Sequence, residues 1–334
     1  MDTKSYRVAV VGCGGISANH ISAILECESI EITALCDVKP ERAEARKQGF
    51  DLNAKIYSDF QEMLANEELD AIHIATPHYL HAPMAIAALE RGINVFLEKP
   101  MCISREEIEK LLAAEKNSTA KICVCFQNRF NPSTVKARSI AEEDGGVITA
   151  YGTVFWERNE RYYTESGWRG SYATEGGGVM INQAIHTIDL LCQFLGTPTK
   201  LVATKAKHHL KDVIEVEDSC EGLITFDSGK FGNFYATTSF HTFDSTGIFL
   251  KTKNHVIEMR HGHLYVDFEK CDPDVEDTKV IGKPCYGSGH FILIKEFYDA
   301  LRSGREMPVT LESAQWAVRI LLSAYESNDA EINV

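Results

Sequence analysis

Apolar residues in the first third of the chain come in short, nearly continuous runs separated by longer amphipathic or polar stretches. Val8–Val11, Ile32–Cys36, Ala71–Ala75, Val95–Leu97 and Ile122–Phe126 are such runs. Continuous rather than alternating apolarity over four or five residues predicts strands buried on both faces. The stretches between them predict helices over Ile16–Glu26, from Pro40, Leu80–Glu90 and Ser104–Lys116. Pro40 suits a first helical position, where its missing N–H costs nothing. Ser58-Asp-Phe-Gln61 and Ser104-Arg-Glu-Glu107 have the spacing of capping boxes, so each predicts a helix start. Strand–helix alternation of this kind predicts a doubly wound parallel sheet over residues 1–125.

Beyond that point the rhythm changes. Ile148–Phe155, Lys200–Lys207, Glu221–Phe226, Lys230–Ser239, Ile248–Thr252 and Val256–Met259 follow one another with turns such as Gly229 and Gly247 in place of helices. They predict a large, mainly antiparallel sheet in a second, α+β domain spanning 126–334. Three helices are predicted there: Val179–Leu195 between Gly178 and Gly196, Phe291–Leu301, and Glu312–Tyr325. The overall class is α/β.

Composition narrows the function. The 334 residues carry 34 basic and 48 acidic side chains, a net charge of −14. That surface disfavours nonspecific nucleic-acid binding and an anionic membrane, while leaving room for a local cation that holds an anionic substrate. The ten cysteines follow no framework of ligand spacings and read as small apolar fillers in a reducing compartment. The first apolar run breaks at Gly12, too short for a signal-peptide core or a membrane span, so the expected location is the cytoplasm.

The chemistry begins at Gly12-Cys-Gly14-Gly15-Ile16-Ser17, after the first strand and at the start of a helix. Gly12 permits the tight turn, Gly14 lets the backbone approach a pyrophosphate, and the helix N-terminus offers N–H groups. Ser17 occupies the third position, where a small residue is needed. Asp37 closes the second strand twenty residues later, where a carboxylate can accept from ribose hydroxyls. It would repel a 2′-phosphate, so NAD is expected rather than NADP, although Lys39 and Arg42 stand nearby. Thr76-Pro77 and Glu98-Lys99-Pro100 end the next two strands, on the edge where doubly wound sheets bind ligands.

Taken together, GCGGISANH at Gly12–His20, TPHYLH at Thr76–His81, EKP at Glu98–Pro100, FQNRFNP at Phe126–Pro132, WRG at Trp168–Gly170 and GGGVMINQAIHTID at Gly176–Asp189 resemble the glucose–fructose oxidoreductase/inositol dehydrogenase (Gfo/Idh/MocA) family. The resemblance implies a Rossmann domain, an α+β domain whose open sheet makes oligomer contacts (a homodimer or homotetramer), and hydride transfer between NAD(P) and a sugar or cyclitol. It implies Lys99 and His186 as catalytic residues. The family's usual aspartate, four residues before the histidine, is Asn182 here.

Several site residues follow as expectations. Gly12, Gly14, Gly15, Ile16, Asp37, Thr76, Pro77, His81, Glu98, Lys99 and Gln127 are expected at the cofactor. Lys99, Arg129, Tyr162, Trp168, Arg169, Asn182 and His186 are expected at a sugar-like substrate, with Lys99, His186 and Asn182 catalytic. Oxidising a secondary alcohol needs a base for the hydroxyl proton. His186 fits by its ordinary pKa, and Lys99 fits either as a stabiliser of developing negative charge or as the base itself. Asn182, His186, Asp189 and Gln193 are spaced to share one helix face. His20, His78 and His81 are expected to pack or to touch the cofactor, and no metal site is expected, because no carboxylate or cysteine stands at ligand spacing from them. His208, His209, His261 and His263 are expected at strand ends or exposed. Two other readings stay open: transient oxidation that enables elimination or hydrolysis, and a dinucleotide sensor without catalysis.

Overall fold

A computed structural model describes residues 5–242, 245–260, 262–273, 287–327 and 329–334. His261 lies outside the described residues.

The first sheet holds β1 (Tyr6–Val11), β2 (Ile30–Cys36), β3 (Lys55–Tyr57), β4 (Ala71–Ile74), β5 (Asn94–Leu97) and β6 (Ile122–Val124). Its order is β3-β2-β1-β4-β5-β6, with every pair parallel. Helices α1 (Ser17–Leu25), α2 (Pro40–Gly49), α3 (Phe60–Asn66), α4 (His81–Leu89) and α5 (Arg105–Asn117) connect the strands. The order reverses between β1 and β4, which opens a crevice at their C-terminal ends. The apolar runs are buried as their continuity requires: Val8, Ala9, Val10, Ile72, Val95 and Phe96 have no exposed surface.

Local signals acted with one exception. Ser104 Oγ accepts from the backbone N–H of Glu107 and caps α5. At α3 the cap is Asp59, whose Oδ1 accepts from Glu62 N at 2.7 Å, not Ser58. A carboxylate one residue nearer the helix outcompetes the hydroxyl, as the helix dipole favours.

The second sheet contains β7 (Thr149–Phe155), β8 (Pro198–Ala206), β9 (Ser219–Phe226), β10 (Phe231–Thr237), β11 (Thr246–Lys251), β12 (Val256–Arg260), β13 (His263–Val266), β14 (Glu269–Lys270) and β15 (Ile332–Asn333). Its order is β14-β13-β12-β11-β7-β10-β9-β8-β15, antiparallel except for the β7–β10 pair. One face is small and apolar along Ala150, Gly152 and Val154, and α8 (Ile185–Leu195) lies so close that a Cβ on Gly152 would sit 2.4 Å from Thr187. The opposite face is open and carries Tyr151, Leu223 and Phe231, all exposed.

The described residues also form α-helices α6 (Pro132–Glu143), α7 (Glu160–Thr164), α9 (Gly289–Ser303) and α10 (Leu311–Ser327). α9 returns to pack against α1, so a late segment supplies side chains to the parallel-sheet half. The cysteines of the described residues are free thiols, most of them buried. No described helix is long and apolar enough to cross a membrane.

Candidate active site

The glycine-rich turn is held from both sides. Gly12 has φ +87°, and a Cβ there would lie 2.4 Å from the Ala75 carbonyl oxygen at the end of β4. Only glycine fits that turn. Gly14 and Gly15 face open space instead, so their backbone is free for a ligand to approach. Ser17 is buried and donates to the Gly14 carbonyl at 2.7 Å, which accommodates a hydroxyl where the usual glycine stands. Asp37 Oδ2 accepts from Cys13 N at 2.8 Å and Oδ1 from Lys39 N at 2.9 Å. The carboxylate is thereby fixed beside the turn. Arg46, not Lys39 or Arg42, reaches the fingerprint: its guanidinium donates to the Gly14 carbonyl at 2.7 Å and to Ser17 Oγ at 3.0 Å. Across the crevice, Thr76 Oγ1 is buried without a hydrogen-bond partner. An open backbone cradle, a pinned acid and an orphaned hydroxyl fit a dinucleotide.

Two residues expected at the cofactor have other duties. His81 places Nδ1 2.6 Å from the Pro100 carbonyl and Nε2 2.9 Å from the Thr76 carbonyl, so its ring is wedged between the ends of β4 and β5. Glu98 is buried and turned inward. Its Oε1 accepts from His20 Nε2 at 3.0 Å and faces His290 Nε2 at 3.6 Å, while Oε2 accepts from Lys99 N at 3.2 Å. Burial opposes the charge, but the two histidines outweigh it and hold the carboxyl well below its ordinary range. A carboxylate can only accept, so His20 carries its proton on Nε2. His20 Nδ1 then accepts from His73 Nδ1 at 3.0 Å, and His73 Nε2 accepts from Tyr298 OH at 2.8 Å. Folding also brings Cys125 to this group, and donor atoms of His20, Glu98, Cys125 and His290 lie within 4.8 Å of one another. Sequence spacing gave no hint of such a set, because four separate segments contribute to it. The directed hydrogen bonds already account for the His20–Glu98 contacts without a cation.

The catalytic candidates meet above this anchor. Lys99 donates from Nζ to the Asn182 backbone carbonyl at 2.9 Å, and burial lowers its pKa. His186 follows a π-helical turn, Met180–Ala184, that precedes α8. The predicted helix is therefore wider at its start than an α-helix, a feature that recurs at functional sites. Burial, reinforced by the Lys99 charge, holds the His186 pKa well below its ordinary value. Gln127 Nε2 lies 3.5 Å from His186 Nε2, and His186 Nδ1 is buried without a partner. The Gln127 amino group can only donate, so Nε2 is the accepting nitrogen of this neutral imidazole and the orphaned Nδ1 carries its hydrogen; a ring with an accepting nitrogen ready before substrate arrives suits proton transfer.

Around it, Asn182 Nδ2 donates to Tyr162 OH at 3.2 Å and to Glu175 Oε1 at 2.5 Å. The Arg169 guanidinium stacks on Tyr162 at 4.4 Å and on Trp168 at 4.5 Å, and Trp168 packs edge-on against His78 at 4.7 Å. Tyr162, Trp168, Arg169, Asn182 and Lys99 are thus linked by direct contacts, and His186 lies near enough to Lys99 to feel its charge. Arg129 is not among them. Its guanidinium forms a two-pronged pair with Asp189, at 2.8 and 2.5 Å, and also donates to Ser313, all in the interior. In place of the expected substrate contact, Arg129 makes a core ion pair with Asp189. Arg46 and Glu175 were not foreseen as site residues; their charges in a polar surrounding carry no local motif.

Residues 6–126 match the oxidoreductase family with an NAD-binding Rossmann fold, and residues 134–253 match the Gfo/Idh/MocA C-terminal domain. The chain belongs to the Gfo/Idh/MocA family. It is 29% identical to D-apiose dehydrogenase from Paraburkholderia graminis over 68% of this chain and 59% of that protein. It is 27% identical to inositol 2-dehydrogenase from Salmonella typhimurium over 44% of this chain and 45% of that one. The chain therefore matches less than two thirds of the length of these curated relatives. Among solved structures, the WlbA dehydrogenase of Bordetella pertussis in complex with NADH and UDP-GlcNAcA superposes with a TM-score of 0.83 at 26% identity, covering 99% of each chain.

Proposed function

We propose that this protein is an NAD-dependent dehydrogenase that oxidises a secondary alcohol of a sugar, sugar derivative or cyclitol. The observation that carries the reading is the pairing of an open dinucleotide cradle with a neutral His186 whose Nδ1 lacks a partner, close enough to Lys99 to feel its charge.

In this reading Gly12, Gly14, Gly15, Ile16, Asp37, Thr76 and Pro77 hold NAD, which supplies the hydride acceptor when bound. His186 takes the hydroxyl proton, and Lys99 donates a hydrogen bond to the same oxygen as negative charge develops. Gln127 supports the His186 ring. Asn182, uncharged, orients the substrate, and Tyr162, Trp168 and Arg169 offer it a stacking wall. The acidic surface supports the absence of nucleic-acid and membrane partners. The open sheet face with Tyr151, Leu223 and Phe231 supports assembly into a homodimer or homotetramer. The cytoplasm remains the proposed location.

The test is direct. NAD and NADP are titrated separately while thermal unfolding is followed, then inositols, hexoses and sugar acids are added while NADH absorbance is read. Preferential stabilisation by NAD with NADH formed from one polyol is expected, and Lys99→Ala or His186→Ala should each lower turnover by about two orders of magnitude or more. Turnover within a few-fold of wild type for either variant would overturn their roles. Dinucleotide binding without NADH release from any alcohol would count against net dehydrogenation.

A further inference from the structure

The acid missing from position 182 has not left this site. Glu175 is 1% exposed, and both its oxygens are taken by donors: Oε1 by Asn182 Nδ2 at 2.5 Å and Oε2 by Gly170 N at 2.6 Å. Its own backbone carbonyl faces His78 Nδ1 at 2.8 Å, which ties it to the strand end that borders the cofactor crevice. The Asn182 amino group is fully used, since its second contact is Tyr162 OH. That fixes which way the amide faces: Oδ1 is the atom left for a ligand. The Asn182 backbone carbonyl meanwhile receives Lys99 Nζ.

We propose that Glu175 is the active-site acid of this chain, acting as a positioning residue that holds the Asn182 amino group and so presents Oδ1 to a substrate hydroxyl. The proposal rests on the reading that Asn182 faces substrate. The segment Gly176–Gly178 is shaped to allow it: a Cβ on Gly178 would lie 1.8 Å from the Glu217 carbonyl oxygen, so the backbone that follows Glu175 is closely confined.

The charges around Glu175 come from several elements. Lys99 stands at the end of β5 and Arg169 in the loop before it, and both favour its ionised form. Glu217 and the phenols of Tyr162 and Tyr163 also face this region. Burial is the largest influence and pushes Glu175 up to about 7. Glutamine at this position could offer an oxygen to only one of the two donors. If Gly170 N takes it, the amino group meets Asn182 and turns that amide over.

The experiment exchanges the acid and the amide. Glu175→Gln, Asn182→Asp and the double variant are compared for NADH binding, for kcat and KM against pH, and for thermal unfolding between about pH 5.5 and 8.5, a range that brackets neutral pH. NADH binding should be unchanged throughout. Each single variant should lose roughly 10- to 100-fold in kcat/KM, and the double should regain most of that loss, because one carboxylate and one amide again face each other. Glu175→Gln should also reduce the fall in unfolding midpoint expected of wild type as pH rises through neutrality, leaving the part that Glu217 contributes. Glu175→Gln within about twofold of wild type, or a double variant no better than the product of the singles, overturns the proposal. If wild type binds NAD but turns over no alcohol, the proposed function fails alone: recovery of the unfolding midpoint in the double variant still supports the pairing, and its absence overturns it.

Discussion

Removing Arg129 separates a core ion pair from a substrate contact. Its guanidinium and the Asp189 carboxylate are almost wholly buried, at 5% and 1% side-chain exposure, and are joined by two hydrogen bonds. In Arg129→Ala the Asp189 carboxylate stays in the interior with its partner gone. Breaking a buried pair from one side typically costs about 3–5 kcal/mol. Burial is the largest influence on Asp189 and already raises its pKa above the ordinary value despite the arginine. Without the arginine it should take a proton at a higher pH still, so the loss should be largest in alkaline solution and smaller in acid. Arg129→Met combined with Asp189→Leu leaves no charge unpaired and should be more stable than Arg129→Ala. Urea unfolding at about pH 6 and 8, on either side of neutrality, reads all three. A loss below about 1 kcal/mol, or a double variant worse than the single, would refute the assignment. So would an Arg129→Ala protein of near-native stability whose KM for the alcohol rises, which is the signature of a lost ground-state contact.

Other expectations follow from the same geometry. Gly12→Ala should abolish NAD binding by calorimetry, because the added methyl meets the Ala75 carbonyl and the residue sits at positive φ. Asp37→Ser should weaken NAD binding by roughly tenfold, about the value of one charge-assisted hydrogen bond, and narrow the preference over NADP; an unchanged ratio of the two dissociation constants would count against Asp37 at the ribose. Burial pushes Glu217 up to about 7, above its ordinary value near 4.5. A raised folded pKa gives stability that is present below the unfolded value and is lost as pH rises through the folded one. Glu217→Gln should therefore remove part of the decline in unfolding free energy between about pH 4.5 and 7, and parallel curves for the two proteins would contradict it. Phe231→Glu on the open sheet face should shift the protein to a smaller species in sedimentation if that face joins subunits.

What was legible in the sequence was what is local in it. Gly12, Gly14 and Asp37 could be read because a tight turn, a helix start and a strand end each leave a mark within a few residues. Arg129 could not, because its partner lies sixty positions away on a helix whose polar face looked catalytic. Asp189 sits on that face at helical spacing from His186, and periodicity alone does not say which polar group turns inward. The π-helical turn at Met180–Ala184 escaped for a related reason: its start is held from outside the helix by Glu217, whose carboxylate accepts from Gly178 N and Met180 N. The histidines gave the clearest lesson. His20 was expected to pack or to touch the cofactor, yet it meets Glu98 together with His290, with His73 behind it, because α9 folds back over α1. Glu98 was therefore placed at the cofactor, when the strand end it occupies has two sides.

That inward side bears on the chemistry of Lys99. Its neighbour Glu98 is clamped by His20 and by the Lys99 backbone N–H, and Pro100 confines the backbone that follows. The ammonium thus projects from a segment with little freedom, and it donates to the Asn182 carbonyl, which can accept from a charged or a neutral amine. His186 differs. Any proton on it would sit beside the Lys99 charge in a desolvated pocket, so the ring is neutral before substrate enters. A neutral ring whose Nε2 receives only the 3.5 Å contact from Gln127 can accept a proton there without first losing one. Burial lowers the Lys99 pKa, whereas the Glu98 charge beside it favours the ammonium. The electrostatics therefore divide the labour, with His186 as acceptor and Lys99 as donor of a hydrogen bond. The division predicts that Lys99→Arg, which keeps the charge, retains more turnover than Lys99→Met, whereas no charged replacement at His186 restores the proton path. Equal loss in Lys99→Arg and Lys99→Met, with an acid limb of kcat/KM that disappears in both, would instead make the lysine the base.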